Sequence, residues 1–148
     1  MSITIRRADY MDVDALVPLF DGYRQFYKWP SDETLARSFL SERLRAEEAI
    51  VFIADVDHQP VGFTLLYPSF SSTAAGRIFV LNDLFVKPDA RTAGVGSALL
   101  QAAADFGRAE GAIRLTLSTA IDNTTAQAVY ERMGWVRNTA FFTYNLTL

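Results

Sequence analysis

One stretch of the sequence, from Ile78 to Leu100, constrains the fold more than any other. Its first part, Ile78–Val86, is apolar on both faces, as a buried central strand is. Pro88 in the turn Lys87-Pro88-Asp89 ends the strand, because proline has no N–H to donate to a ladder. The stretch therefore predicts a central strand joined by a tight turn to a helix.

The helix begins directly after the loop Arg91-Thr92-Ala93-Gly94-Val95-Gly96. Its apolar residues share one helical face; they are Val95, Ala98, Leu99, Ala102, Ala103 and Phe106. Unpaired N–H groups and the positive end of the helix dipole make such a loop an anion site, and Arg91 adds a cation suited to phosphate. Glycine can also serve tight packing alone, so both interpretations stand. No Gly-Lys-Ser/Thr follows, so the loop is not a P-loop.

Composition and charge limit the classes of function. With 148 residues, half of them hydrophobic, the chain predicts a single domain, residues 1–148, with a substantial core. A net charge of −3 gives no general basic surface for nucleic acid. The absence of cysteine excludes a disulfide, a thiol nucleophile and a thiolate metal site. No apolar signal region or membrane-length window occurs, which predicts a cytoplasmic protein with no membrane partner.

The other elements follow from periodicity and turn signals. A short strand is predicted at Ile3–Arg7, and a first helix carries apolar residues from Val13 to Tyr27. The remaining predictions are a second helix starting at Ser31, strands at Ala49–Val56 and Val61–Tyr67 joined through Asp57-His58-Gln59-Pro60, a loop from Pro68 to Gly76, a strand over Ile113–Leu117, a helix capped by Asp122 or Asn123 and ended by Gly134, and an aromatic last strand, Trp135–Leu148.

The resulting order is β-α-α-β-β-β-α-β-α-β, an α/β (α+β) arrangement with helices on the faces of a mixed sheet. This order, the motif R-x-x-G-x-G from Arg91 and the motif D-N-x-x-A-x-x-x-Y-x-x-x-G-W from Asp122 resemble the GNAT superfamily of acetyl-CoA-dependent N-acetyltransferases. The resemblance implies the GNAT fold, a mostly antiparallel sheet of about six or seven strands with about four flanking helices. Leu81–Val86 is similar to the corresponding strand of spermidine/spermine and thialysine acetyltransferases, and to that of small histone- and polyamine-acetylating members.

The resemblance implies where acetyl-CoA binds. Its diphosphate would lie on the amides of the loop and first helical turn, with Arg91 as the flanking cation; the residues are Thr92, Ala93, Gly94, Val95, Gly96 and Ser97. Backbone groups of Leu84, Phe85 and Val86 would pair with the pantetheine arm where the strand splays from its neighbour. One N–H among them would polarise the thioester carbonyl, an oxyanion-hole role.

The second motif implies further contacts. Asn123 and Ala126 would contact the pantetheine, although Asn123 is equally well explained as a helix cap. Tyr130 would be the general acid that donates to the CoA sulfur; the alternative is a core tyrosine on an apolar helix face. A phenol of pKa about 10 is a weak acid toward a thiolate of pKa about 8.5, so thiolate stabilisation by a hydrogen bond is as reasonable as full proton transfer.

Asn82 and Asp83 are the two polar residues inside an otherwise apolar strand. Being adjacent, they are expected to face opposite sides of the sheet. A buried carboxylate needs a partner, so Asp83 predicts either an internal ion pair, or bonds from backbone N–H groups, or an anchor for the acceptor's ammonium. At an ordinary pKa Asp83 is a poor direct base for an amine, which favours a water relay or capture of the neutral amine.

Aromatic residues gather at the end of the first helix. Tyr23, Tyr27 and Trp29 could enclose an amine by cation–π contact or simply pack in the core. On the last strand, the aromatic pair Phe141-Phe142 and Tyr144 could be core or a dimer interface, and a homodimer is predicted from the resemblance.

These observations favour an enzyme that moves an acetyl group from acetyl-CoA to a primary amine by direct attack. The absence of cysteine excludes a cysteine-bound acyl intermediate. A small polyamine or lysine-like amine is favoured as acceptor over a protein or histone lysine or a protein N-terminus. The alternatives from other classes are a non-catalytic acyl-CoA-binding module and a nucleotide-binding protein; the latter is disfavoured by the missing P-loop lysine. No metal is expected.

Overall fold

The computed structural model describes residues 2–91 and 93–148, and the chain divides into two compact units, Met1–Leu117 and Ser118–Leu148. The first unit contains strands β1 (Ile3–Arg7), β2 (Ile50–Val56), β3 (Gln59–Ser71), β4 (Gly76–Val86) and β5 (Arg114–Thr116), and helices α1 (Val13–Phe26), α2 (Glu33–Arg45) and α3 (Val95–Ala109). The second unit contains helix α4 (Thr124–Arg132). The predicted helices are all present.

The sheet has the order β1-β2-β3-β4-β5. Neighbouring strands from β1 to β4 run antiparallel, and β5 runs parallel to β4. The mixed, mostly antiparallel sheet is therefore confirmed, with five strands in the described part of the chain rather than six or seven.

Two hairpins connect the central strands. Asp57 and His58 both have positive φ, 51° and 66°, and form a two-residue turn between β2 and β3. The β3–β4 hairpin is longer than predicted, because Pro68–Ser71 continues β3 and pairs with Gly76–Phe79. The predicted loop from Pro68 to Gly76 is wrong over those residues. Serine content suggested a loop, whereas pairing with a long neighbouring strand decided the structure.

The core lies on both faces of the sheet. On one face Leu16 of α1 and Leu40 of α2 belong to one buried cluster with side chains of β2, β3 and β4, including Phe63 and Phe85. On the other face α3 packs through Val95 and Leu99 against a separate cluster that includes Ala54 and Val86. Phe85 and Val86 thus serve opposite faces, as the strand alternation requires.

The start of α2 is fixed by two side chains. Asp32 is the N-cap and accepts a hydrogen bond from the Leu35 N–H at 3.0 Å. Ser31, which the sequence predicted as the starting residue, instead donates to Asp21 Oδ2 at 2.7 Å. Asp21 also accepts from the Asp32 N–H and from Gln25, so a buried carboxylate on α1 holds the connection to α2.

In the second unit, the prediction of a last strand over Trp135–Leu148 is wrong. Trp135–Leu148 contains no described strand, and the large side chains that the sequence placed on it, including Phe141, Phe142 and Tyr144, are exposed. Strand propensity was high there, but a strand also needs a neighbour for its backbone groups. The bonds seen in this stretch are local, such as the Ala140 N–H donating to Asn138 Oδ1 at 2.8 Å.

Candidate active site

The sheet opens along β4. The parallel strand β5 pairs with β4 only from Ile78 to Val80, and no described strand of the first unit continues that pairing along Leu81–Val86. On the other side the Lys87 N–H donates to the Val61 carbonyl of β3, so Val86, one residue earlier, turns its own backbone groups away from β3. By the same alternation, the backbone N–H and C=O groups of Leu84 point to the open side of β4, and those of Phe85 point to β3.

A β-bulge in β4 explains where the side chains of Asn82 and Asp83 lie. Leu65 of β3 lies opposite Asp83, and Leu66 lies opposite Leu81, so Asn82 is the extra residue. The bulge breaks the strict alternation of side chains. Asn82 Nδ2 donates to Asp83 Oδ1 at 2.7 Å, and both residues line the same cavity. The expectation that the two side chains face opposite sides of the sheet is therefore wrong.

The cavity has a volume of about 600 Å³, within the usual range for small-molecule sites. It lies between α1, α2, β3 and β4 in the first unit. Its walls are mainly aromatic and apolar; they are formed by Phe20, Tyr23, Arg24, Tyr27, Trp29, Leu35, Phe39, Tyr67, Asn82 and Asp83. Asp83 is the one acidic residue among these, and Arg24 the one basic residue.

Asp83 is a buried carboxylate with an unsatisfied oxygen. Its side chain is 2% exposed, and its Oδ2 has no hydrogen-bond partner in the described structure. Burial raises the pKa of Asp83 from the ordinary 3.8 to about 6, although the Asn82 amide and the nearby Tyr23 hydroxyl partly oppose that rise. Neither the ion pair nor the backbone N–H bonds that the sequence allowed for this carboxylate occur among its hydrogen bonds.

Tyrosines surround the carboxylate. The Tyr23 hydroxyl donates to the Asn82 carbonyl at 3.0 Å, which joins α1 to the bulge. Burial, with the negative charge of Asp83, raises the pKa of Tyr23 well above its usual range, and the same causes raise the pKa of Tyr67 to about 12. Both phenols are therefore neutral at physiological pH, so they offer hydroxyl groups and aromatic faces without adding a charge.

The residues predicted for an acceptor thus lie together. Tyr23 packs partly into the core and also contacts the cavity, and its ring meets that of Tyr27 edge-on at 5.2 Å. Sequence reasoning did not identify Arg24, Tyr67 or Phe39 as lining residues. For Arg24 a signal existed: Phe20, Arg24 and Tyr27 follow one another at four- and three-residue steps along α1 and so share one side of the helix.

The loop before α3 has open space around both of its glycines. Gly94 is the N-cap, with a left-handed φ of 80°, and a Cβ added at Gly94 or at Gly96 would meet no atom within 4 Å. Tight packing therefore does not explain either glycine. Conformation explains Gly94, whereas the space around Gly96 is open.

The structure places the other described residues of this loop as follows. Arg91 Nε donates to the Val86 carbonyl at 2.8 Å, so the arginine ties the loop to the end of β4. Its guanidinium also lies 5.6 Å from the ring centroids of Phe26 and Phe85. Ala93 precedes Gly94, and Val95 and Ser97 are in the first turn of α3. Thr92, predicted for the same loop, lies outside the described residues.

The remaining predicted site residues belong to the second unit. Asn123 is the N-cap of α4 and accepts from the Ala126 N–H at 3.3 Å, so its capping role is confirmed. Tyr130 is half-buried on α4, and its ring centroid lies 6.2 Å from that of Trp135.

Two features are absent from residues 2–91 and 93–148, a metal-binding cluster and a membrane-spanning helix. No group of three or more histidine, cysteine, aspartate or glutamate side chains in this part of the chain is arranged to hold a metal ion. No described helix has the length and hydrophobicity to cross a membrane.

Comparison with known proteins identifies related chains. A Bacillus subtilis protein named uncharacterized N-acetyltransferase YhfO is 44% identical over 146 residues, which covers 99% of this chain and 98% of the relative. The thialysine N-epsilon-acetyltransferase of Caenorhabditis elegans is 25% identical over 136 residues, covering 90% of this chain and 84% of the relative. A crystal structure described as a probable acetyltransferase matches with a TM-score of 0.91 and 39% identity, over 98% of this chain and 97% of that one.

The family model for the GNAT acetyltransferases matches residues 16–135, most of the chain. Members of this family use acetyl-CoA as acyl donor. The matched range, the relatives and the five-stranded mixed sheet agree with one another. The chain belongs to the GNAT acetyltransferase family and is an acyltransferase.

Proposed function

We propose that this enzyme transfers the acetyl group of acetyl-CoA to a small primary amine held in the aromatic cavity beside Asp83. The observation that carries the proposal is the buried, unsatisfied oxygen of Asp83 in a cavity walled by Tyr23, Tyr27 and Trp29. An uncompensated buried carboxylate is costly in free energy. An ammonium group would lower that cost by neutralising the charge and donating a hydrogen bond to the free oxygen. Aromatic faces around it favour a cation in the same place.

The reaction requires a neutral amine at the thioester. The amine nitrogen attacks the carbonyl carbon, a C–N bond forms, the C–S bond breaks, and one amine proton reaches the departing sulfur, so that amide and thiol leave. Acetyl-CoA supplies the activated acyl group. Backbone N–H groups of Leu84 or Val86, which the strand alternation turns to the open side of β4, are the donors proposed for the thioester oxygen.

Asp83 is better matched to proton acceptance than its residue type suggests. Transfer of a proton from an ammonium of pKa about 10 to a carboxylate of pKa about 6 costs about 5 kcal/mol, against about 8 kcal/mol for a carboxylate of ordinary pKa. The cost is still large. We therefore assign Asp83 the role of holding the ammonium and accepting its proton through water, which leaves the neutral amine in position.

Tyr130 is proposed as the donor to the sulfur. The support is its place in the motif from Asp122 to Trp135 and its half-buried position on α4. Asn123 and Ala126 are proposed to contact the pantetheine arm, which is compatible with the capping bond because the Asn123 Nδ2 group is not part of that bond.

A small acceptor is favoured over a protein lysine. The cavity lies between two helices and the sheet, and about 600 Å³ suits a compact molecule. The thialysine acetyltransferase of C. elegans shares 25% of its aligned residues with this chain, and thialysine, the substrate in its name, is a lysine-like amine. These features support the lysine-like class, with polyamines as the second candidate.

The test is a thiol-release assay with acetyl-CoA and a panel of amines, run on the wild-type enzyme and on Asp83→Asn. We expect acetylation of at least one small amine and a fall of about 10- to 1000-fold in kcat/KM for that amine in the variant. Asp105→Asn, on the exposed side of α3, is the matched control and should leave the rate unchanged. Unaltered acceptor KM and kcat in Asp83→Asn would remove Asp83 from the acceptor site.

A further inference from the structure

The cavity contains a second unsatisfied group, a cationic one. Arg24 Nη1 is buried and has no hydrogen-bond partner in the described structure. Arg24 is in the last turn of α1 and lines the cavity that Asp83 also lines. One cavity therefore holds a buried carboxylate oxygen and a buried guanidinium nitrogen, both without partners. Native proteins rarely leave such groups unpaired, so each is a candidate for a ligand contact.

Neighbouring side chains do not satisfy the guanidinium. Its central carbon lies 5.3 Å from the Trp29 ring centroid, but stacking uses the face of the guanidinium and leaves its in-plane N–H groups available. The positive charge of Arg24 helps to lower the pKa of the nearby Asp21 carboxyl. Its two oxygens already accept bonds from Gln25, Ser31 and the Asp32 N–H, and none of these bonds comes from Arg24.

We infer that the acceptor carries a carboxylate as well as its amine, so that it is an amino acid rather than a polyamine. This inference rests on the proposed function, in which the amine binds at Asp83. The guanidinium of Arg24 would bind the carboxylate, for which its planar set of donors is suited.

The same arginine acts against a polyamine. A diamine that placed one ammonium at Asp83 would bring its second positive charge into the cavity lined by Arg24. Among the described residues no other acidic residue lines this cavity, and Asp21, which interacts with the charge of Arg24, does not line it. Repulsion of the wrong ligand contributes to specificity as much as attraction of the right one. Arg24 is thus a specificity residue, and it needs no contact with the reacting atoms.

Paired amines that differ only in the anionic group provide the test. L-lysine is compared with 1,5-diaminopentane, its decarboxylated form, and 6-aminohexanoate with hexylamine. Each pair is measured by thiol release from acetyl-CoA, and each amine by equilibrium binding to the CoA-saturated protein. The enzymes are wild type, Arg24→Gln, Arg24→Lys and, as the matched control, Arg37→Gln. Arg37 is on α2 and pairs with Asp14, outside the cavity lining.

We expect wild type and Arg37→Gln to prefer the carboxylate-bearing member by about 10-fold or more in kcat/KM and in affinity. Arg24→Gln should reduce this ratio to about 1, mainly by raising KM for the amino acid, while the rate with the diamine is kept or increased. Arg24→Lys should restore part of the preference. A folding control is the CoA affinity, which should be equal in all four proteins.

Two results would overturn the inference: a wild-type enzyme that uses the diamine as well as lysine, or an Arg24→Gln variant that loses both members of a pair equally. Failure of the proposed function has a different signature. In that case no amine of either series releases thiol, whereas the binding measurements still report whether the cavity selects carboxylates through Arg24.

Discussion

At the scale of single residues, two buried aspartates of the first unit have opposite electrostatic situations. Asp21 accepts three hydrogen bonds; burial acts to raise its pKa, but these bonds outweigh burial and hold the pKa below its usual value. Asp83 accepts one bond and has its pKa raised to about 6. The ionised Asp21 carboxylate therefore stabilises the fold. The ionised Asp83 carboxylate destabilises it, as charged groups at functional sites often do.

This contrast predicts opposite effects on stability. Asp83 binds its proton more tightly in the folded than in the unfolded protein, so its ionisation destabilises the fold as the pH rises from about 4 through about 6. Asp83→Asn should therefore increase the free energy of unfolding by up to about 3 kcal/mol above pH 7, with a gain that shrinks toward pH 4.

Asp21→Asn should lower the free energy of unfolding. The NH2 group of the asparagine would face groups that now donate hydrogen bonds to the Asp21 carboxylate. We expect a loss of about 1–3 kcal/mol at neutral pH that diminishes in acid, where the wild-type carboxylate also becomes protonated. Urea unfolding of the three proteins from pH 4 to 8 measures both effects. Equal pH dependence of wild type and Asp83→Asn would show that the Asp83 carboxyl is not strained by burial.

Tyr130→Phe tests the proposed donor to the sulfur. Removing the hydroxyl should lower kcat by about 10- to 1000-fold with little change in CoA affinity, since general acids contribute on that scale. Tyr10→Phe removes a hydroxyl from an exposed tyrosine outside the proposed sites and is the matched control. Steady-state kinetics at saturating acetyl-CoA measures the effect, and wild-type turnover in Tyr130→Phe would exclude Tyr130 from the mechanism.

At the scale of elements, sequence patterns identified what depends on neighbouring residues in the chain. The turn at Pro88 and the helix from Val95 were predicted from spacing alone, because caps, turns and amphipathic faces are local. The bulge at Asn82 was not predicted with its position, because a bulge is a property of two paired strands. That bulge places Asn82 and Asp83 in one cavity, so the central feature of the acceptor site depended on pairing.

The glycines of the loop provide a prediction for α3. Gly94 has positive φ, so Gly94→Ala should destabilise the protein by about 1 kcal/mol. Gly96 is helical and faces open space, so Gly96→Ala should leave stability unchanged or improve it by up to about 1 kcal/mol.

For CoA binding we expect Gly96→Ala to raise the Kd about 10-fold or more, because the added methyl group occupies the space proposed for the diphosphate. Thermal unfolding and calorimetric titration with CoA separate the two effects. Wild-type CoA affinity in Gly96→Ala would place the diphosphate elsewhere.

At the scale of the whole molecule, the family and the fold could be predicted from the sequence because two motifs about 30 residues apart agreed with the order of elements. The absence of a described strand over Trp135–Leu148 could not be predicted, because the aromatic residues there have strand propensity whether or not a partner strand exists. Arg24 was missed although it shares one side of α1 with Phe20 and Tyr27, because that spacing does not reveal the cavity that the helix faces.

The aromatic stretch of the second unit also bears on assembly. Phe142 and Tyr144 are about nine-tenths exposed, at 91% and 90%, and we propose that they contribute to a homodimer. Light scattering after gel filtration should give the mass of a dimer, and the double variant Phe142→Ser, Tyr144→Ser should give a monomer. A monomeric wild type would contradict this proposal.

The central claim is that one end of β4 serves two ligands, CoA along its open side and an amine at Asp83. A crystal structure of the protein with CoA and L-lysine tests it most directly. We predict a diphosphate on the amides from Ala93 to Ser97 and an amine nitrogen within about 3 Å of Asp83 Oδ2. An amine bound away from Asp83, or a diphosphate away from the head of α3, would contradict the account.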